Sequence, residues 1–306
     1  MQIITQERTG SAQVLQLSEK PTPEPGPGEL RVRVVAAGVN PVDAAVRAGD
    51  FPLIGAPPFT LGWDLAGEVE AVGPGVRWYR PGDRVAGLAR FPQQAATYAS
   101  HAIVPEEEIA RVPSQVDLQQ AGALPLAGLT AWQALVVAGG LAPRQRVLIH
   151  SGAGGVGHLA VQIAKARGAH VTATASAGKL ELLRELGADI AVDYHRAQPV
   201  GPFDLVLDPQ AGVQAETSVA LTRAGGKVIT LLDFTETAAQ LAQARGVHLQ
   251  RIMVRPGAHH MAALMTLMAE GALRVVVDRT FPLAEAGAAQ DYLAEARPAG
   301  KVALIP

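Results

Sequence analysis

The hydrophobic pattern of the chain changes character near residue 116. Before it, short strand-like runs fall at 14–17, 30–37, 64–72 and 97–104. Turns such as Gly73-Pro74-Gly75 and Pro81-Gly82-Asp83 separate them, and one short helix is predicted at 42–48, just after Asn40-Pro41. After it, the spacing predicts a helix at 126–138 and a strand at 146–150. A turn of glycine and alanine follows at 151–157. Leu159, Ala160, Ile163, Ala164 and Arg167 then keep helical spacing as far as Gly168, and 170–175 alternates as a second strand. Further on, helices are expected at 179–186, 213–221 and 261–269, and strands at 203–207 and 227–232. Alternating β and α elements predict a doubly wound parallel sheet, so the expected fold class is α/β with a separate β-rich domain in front. The tail reads as strand (274–278), helix (284–295) and strand (301–305), and its pattern suits either domain.

The turn carries candidate chemistry. Gly152, Gly154 and Gly157 spell G-x-G-x-x-G around Gly155 and Val156. In such a turn the first glycine permits the bend and the second lets backbone N–H groups approach a pyrophosphate. The third lets helix and strand pack closely, and the helix N-terminus faces the phosphates with its positive end. With 32 glycines in 306 residues the bare motif is weak. Its setting of strand, turn, helix and strand is what a dinucleotide site requires. An NAD site places an acid near the end of the second strand, about twenty residues on. Ala175, Ser176 and Ala177 stand there, and Lys179 follows. A hydroxyl and an ammonium suit a 2′-phosphate where a carboxylate would repel it, which points to NADP(H).

Composition narrows the field. The chain is long enough for two domains, 48% of it is apolar, and its net charge of −2 offers no electrostatic footprint for nucleic acid. Without cysteine there is no disulfide, thiolate zinc site or thiol chemistry. The start, MQIITQERTG, lacks a basic-then-apolar leader, so a cytoplasmic location is expected. The uncharged stretch 121–143 contains Pro125, Gln133 and several glycines, and reads as buried helix at a domain junction, not as a membrane span. His259-His260 are adjacent and do not face each other on a helix, so a helix start or a cleft rim suits them better than a shared metal. His101, His158 and His170 have no acidic partner at recognisable spacing.

Several motifs together resemble the medium-chain dehydrogenase/reductase superfamily, and within it the zinc-independent quinone oxidoreductases of the zeta-crystallin type. They are AAGVNPVD at 36–43, LGWDLAG at 61–67, GDRV at 82–85, PLAGLTAW at 125–132, HSGAGGVG at 150–157 and GKV at 300–302. The resemblance implies a GroES-like catalytic domain at 1–118, a Rossmann domain at 119–256, and a segment 257–306 returning to the catalytic domain. It also implies a cleft between the domains and a homodimer built through the Rossmann sheets. Zinc members carry Cys, His and often Cys where Asn40, Trp63 and Leu126 stand, and the cysteine-rich structural zinc loop is missing too, so no metal is expected. Without a metal to polarise an alcohol oxygen, hydride addition from NADPH to an electron-poor small molecule is the expected chemistry. Quinones and α,β-unsaturated carbonyls are such acceptors.

The resemblance further implies that Gly152, Gly154, Gly155, Val156 and Gly157 hold the pyrophosphate, and that Ser176, Lys179 and Tyr194 face the 2′-phosphate. Asn40 and Thr130 match positions near the nicotinamide and the acceptor carbonyl, where Asn40 is placed to donate a hydrogen bond to a developing oxyanion. Asp43 reads as a helix cap or a cleft residue, the cap being favoured. For Trp63, pocket lining and core packing are equally open. Many relatives carry a tyrosine where this chain has Ala44-Ala45, so no proton donor comes from that stretch and the final proton is expected from water. Reduction of an enoyl thioester or an alkenal is the alternative enzyme reading. A low-turnover NADPH-binding sensor or structural protein is the alternative outside enzymes.

Overall fold

The computed structural model describes residues 1–306. A small hairpin, β1 (Gln2–Thr5) with β2 (Gln16–Glu19), comes first. The long β3 (Glu29–Val39) runs into α1 (Pro41–Ala48). Next come β4 (Asp64–Val72), β5 (Arg84–Leu88), β6 (His101–Pro105) and β7 (Ile109–Arg111), then α2 (Leu118–Ala123) and α3 (Pro125–Trp132). Gln133–Ala138 continues α3 as a wider π turn, in which the Gly139 N–H reaches back five residues to the Ala134 carbonyl. The nucleotide-type half holds β8 (Arg146–Ile149), α4 (Gly157–Ala166), β9 (His170–Ala175), α5 (Leu180–Glu185), β10 (Ile190–Asp193) and β11 (Phe203–Asp208). It goes on with α6 (Gln214–Ala220), β12 (Thr222–Thr230), α7 (Glu236–Arg245) and β13 (His248–Arg251). The tail is α8 (Ala258–Ala269), β14 (Val277–Pro282), α9 (Ala286–Glu295) and β15 (Lys301–Ile305).

Two compact units result: Met1–Leu129 together with Arg255–Pro306, and Thr130–Val254. The first division falls later than the expected 118/119 because α2 packs on β3, β4 and β15 and so stays with the β-rich unit. In that unit seven strands run β14-β15-β3-β4-β5-β7, with β6 also paired to β3. The tail enters through β15, antiparallel to β3 at Val302↔Val39. Leu30, Val32, Leu65, Val85 and Leu304 are fully buried in its core.

The second unit is a six-stranded parallel sheet in the order β10-β9-β8-β11-β12-β13. Strand order reverses between β8 and β11, which is where ligands sit in open α/β sheets. Helix α4 is buried from Gly157 to Ala164, as a helix laid on a parallel sheet must be. A core of Leu148, Phe203, Val206, Val219, Val228 and Val247 fills one side. No helix is long and apolar enough to cross a membrane; the uncharged stretch at 121–143 is broken among α2, α3 and the π turn.

Candidate functional site

The glycine turn links β8 to α4 at the carboxyl end of the parallel sheet. Its Gly152 N–H donates to the Thr174 carbonyl of β9 (2.8 Å), and its Gly154 N–H to the Ser151 carbonyl (2.9 Å). Ser151 itself sits at φ 52°, an uncommon place for a residue with a side chain. The glycines differ in why they are needed. A Cβ on Gly157 would stand 2.1 Å from the Ser151 carbonyl oxygen and 2.8 Å from the Gly152 Cα, so the fold itself requires glycine there. On Gly154 a Cβ would meet only that same oxygen, at 3.2 Å, and Gly154 does not have a positive φ. Neither packing nor conformation demands glycine at 154. What remains is room for a ligand against the backbone, and on this ground the turn fits a pyrophosphate.

Short backbone bonds gather the other expected nucleotide residues at the same end. Ser176 follows β9, and its carbonyl accepts from the Lys179 N–H (2.9 Å) at the start of α5. Tyr194 follows β10 and is brought beside β9 by its N–H to the Ala175 carbonyl (3.3 Å); it is 46% exposed. Its ring lies 4.4 Å from that of His195. One carboxylate is close by. Asp193 is the register partner of Ala175, but it accepts from the His195 N–H (3.0 Å) and its side chain is only 9% exposed. Arg196 Nε lies 3.6 Å from it. The acid is thus turned into its own loop. On the floor of this end His150, 6% exposed, contacts Thr174 Oγ1 through Nδ1, and burial pushes its pKa down. Thr130, on α3, is buried.

In the β-rich unit the three positions where zinc relatives carry ligands hold other chemistry. Trp63 is 1% exposed, donates its indole N–H to the Gln93 carbonyl (2.6 Å) and packs edge-on against Phe91. It is a core residue, which decides the open choice made from sequence. The Leu126 N–H donates to Asp64 Oδ1 (2.6 Å). Asn40 is 2% exposed; its side chain donates through Nδ2 to Asp64 Oδ2 (2.8 Å), while its Oδ1 accepts from Lys301. Nowhere does the structure gather three His, Cys, Asp or Glu side chains able to hold a metal ion.

Asp64 and Lys301 were not among the expected site residues. Lys301 heads the apolar β15 and Asp64 the apolar, buried first half of β4, and each is buried. A charge at the inner end of an apolar run is the signal that could have found them, because burying a charge requires a partner. A Cβ on Gly38 would stand 2.4 Å from Asp64 Oδ2, so the sheet leaves space for this carboxylate. Lys301 Nζ also donates to the Val39 carbonyl (3.1 Å) and lies 3.8 Å from Asp64 Oδ2. Asp43, in the first turn of α1, accepts from the Asn40 backbone N–H (2.6 Å) and the Tyr98 hydroxyl (3.0 Å). It is a cap, as favoured from sequence. Burial raises Asp43 to about 7, the nearby Asp64 adding to the rise. Burial also raises Asp64 to about 6, although the Lys301 ammonium pulls it down. Lys301 is itself pushed down by burial, and Tyr98 well up.

The fold is that of a medium-chain dehydrogenase/reductase. Residues 26–114 match the alcohol dehydrogenase GroES-like domain, and residues 186–304 the family described as zinc-binding dehydrogenase. The quinone oxidoreductase of Coxiella burnetii is 31% identical and superposes with a TM-score of 0.92, over 100% of this chain and 99% of that one. The Escherichia coli quinone oxidoreductase in complex with NADPH is 27% identical, with a TM-score of 0.90 and full coverage of both chains. An NADPH-dependent alkenal/one oxidoreductase of Arabidopsis thaliana chloroplasts is 35% identical over 97% of this chain and 77% of its own length. Polyketide synthases of Streptomyces halstedii and Streptomyces orinoci match at 35% and 36% identity, this chain spanning only 5% and 13% of their lengths. The chain belongs to the quinone oxidoreductase-like family of the superfamily.

Proposed function

We propose that this protein transfers hydride from NADPH to a quinone or an α,β-unsaturated carbonyl, without a metal. The observation that carries the reading is Gly154, a glycine that the fold does not need in a turn that suits a pyrophosphate. Bound NADPH would supply the hydride. Gly152, Gly154, Gly155, Val156 and Gly157 would hold its pyrophosphate, with Ser176, Lys179 and Tyr194 at the 2′-phosphate. Thr130 is assigned to the nicotinamide end. Asn40 is assigned the acceptor oxygen: one Nδ2 hydrogen is committed to Asp64, and an amide carries two. Donating the second to a developing oxyanion lowers the barrier to hydride arrival. No side chain is assigned as the final proton donor, and water serves.

Purified protein mixed with NADPH and a panel of quinones and enones tests this, through loss of the nicotinamide absorbance. Turnover with at least one acceptor is expected. No oxidation by any of them, with NADPH bound, refutes the reading. Lys179→Ala should weaken NADPH binding about tenfold to a hundredfold, the usual range for a hydrogen bond to a charged group, and leave NADH binding within about twofold. Equal losses for both nucleotides would remove Lys179 from the 2′-phosphate. The similarity to polyketide synthases favours one second reading, an enoyl thioester as acceptor. Activity on a crotonyl thioester exceeding that on every quinone would select it. A homodimer and a cytoplasmic location belong to the same proposal, checked by sedimentation velocity and cell fractionation.

A further inference from the structure

Asn40 is held between opposite charges. Its Oδ1 accepts from the Lys301 ammonium and its Nδ2 donates to the Asp64 carboxylate (2.8 Å), and the two charges lie 3.8 Å apart, closing a triangle. All three residues are at most 3% exposed. Reversing the amide would set its N–H groups against the ammonium and its oxygen against the carboxylate, so charge alone decides which end is which. The same carboxylate accepts from the Leu126 N–H (2.6 Å), and the same ammonium also donates to the Val39 carbonyl (3.1 Å). Positions 39–40, 64 and 126 are therefore tied by one ion pair, where zinc relatives tie the corresponding region through a metal.

We infer that Lys301 and Asp64 are positioning residues that fix and polarise the Asn40 amide, leaving its second N–H as the donor to the acceptor oxygen. The inference rests on the assignment of Asn40 to that oxygen. Electron density drawn toward Lys301 through Oδ1 makes the amide hydrogens better donors, and hydrogen bonds in series reinforce one another. Loss of either charge frees the amide to turn.

A double-mutant cycle on the full chain separates this role from a structural one. Asn40→Ala should lower kcat with a quinone by about 100-fold, the lower end of the range for removing an oxyanion donor, and Lys301→Met by a similar factor. The double variant should be no worse than either alone, since Lys301 acts through Asn40. NADPH dissociation constants, measured by fluorescence titration, should stay within about twofold, because the residues assigned to the pyrophosphate and the 2′-phosphate are unaltered. The Asn40 side-chain amide resonances, assigned by their loss in Asn40→Ala, should shift in Lys301→Met. Additive losses in the double variant, or unmoved resonances, overturn the inference. If Asn40→Ala keeps full activity, the assignment of Asn40 fails first. If Asn40→Ala is impaired and Lys301→Met is not, the inference about Lys301 fails alone. Should Lys301→Met not fold, Lys301→Ala with added ethylammonium decides: recovery with the cation but not with ethanol supports a charge role, and recovery with both or neither refutes it.

Discussion

Gly157→Ala should reduce NADPH affinity by at least about 100-fold, and Gly154→Ala by about tenfold with no loss of thermal stability. The two glycines lie in one turn, and their substitutions separate fold from ligand. The methyl group at 157 would overlap the Ser151 carbonyl oxygen at 2.1 Å and the Gly152 Cα at 2.8 Å. Both are backbone atoms, and Gly152 is bonded to β9 through Thr174. No side chain can swing aside, so α4 must lift from the end of β8. Its first turn then carries the phosphate-binding N–H groups away from their place. At 154 the only close atom would be that same oxygen at 3.2 Å, which a shift of a few tenths of an ångström relieves. There the methyl group costs affinity only if a ligand lies against the backbone. Fluorescence titration with NADPH and a thermal melt of each variant make the comparison. Wild-type affinity in Gly154→Ala, with an unchanged melt, would remove the dinucleotide from this turn.

How much was readable in advance follows the physics of each element. Strands β4 and β15 emerge with the expected bounds, 64–72 and 301–305, because both lie inside a sheet that buries their first four residues. Strands β10 and β13 gave no such signal. They are the two edges of the parallel sheet and only four residues long, and in β13 the exposed His248, Gln250 and Arg251 leave Leu249 as its one apolar residue. The strand expected at 14–17 starts two residues later, because Ala12–Val14 forms a single tight turn. The nucleotide turn was legible since a phosphate site is local in sequence. The Asn40 environment was not, because Asn40, Asp64, Leu126 and Lys301 come from four distant segments. Sequence supplied the identity of each residue there and nothing about their meeting.

A pH series on Asp43→Asn exposes the other consequence of that buried cluster. Asp43 has no exposed surface, and its Oδ1 has no hydrogen-bond partner. Burial raises its pKa to about 7 from an ordinary 3.8. A raised carboxyl pKa means that the folded chain keeps a proton which the unfolded chain has released. Stability therefore falls as pH rises from about 4 to about 7, and this contribution levels off above that. Asp64, raised to about 6, acts in the same direction over a narrower window. Lys301, pushed down, acts oppositely on the alkaline side, where the folded chain gives up its proton first. Tyr98 stays protonated throughout this range, since burial and Asp43 hold it well above its ordinary value. An asparagine at 43 copies the protonated acid. Its oxygen accepts from the Asn40 N–H and the Tyr98 hydroxyl, and its amide nitrogen takes the place of the partnerless Oδ1. At pH 4 the variant and wild type should agree within about 1 kcal/mol, at pH 5 the variant should lead by about 1.5 kcal/mol, and at pH 8 by about 4 kcal/mol, roughly three pKa units. Denaturant unfolding followed through the buried Trp63, which lies in the same unit, measures the difference at each pH. Asp64 and Lys301 are common to both proteins and largely cancel from it. Stability curves that run parallel from pH 5 to pH 8 would mean that Asp43 carries its charge in the folded protein. The cluster would then hold two carboxylates against one ammonium, and the Lys301 side of the Asn40 triangle would be shared with α1.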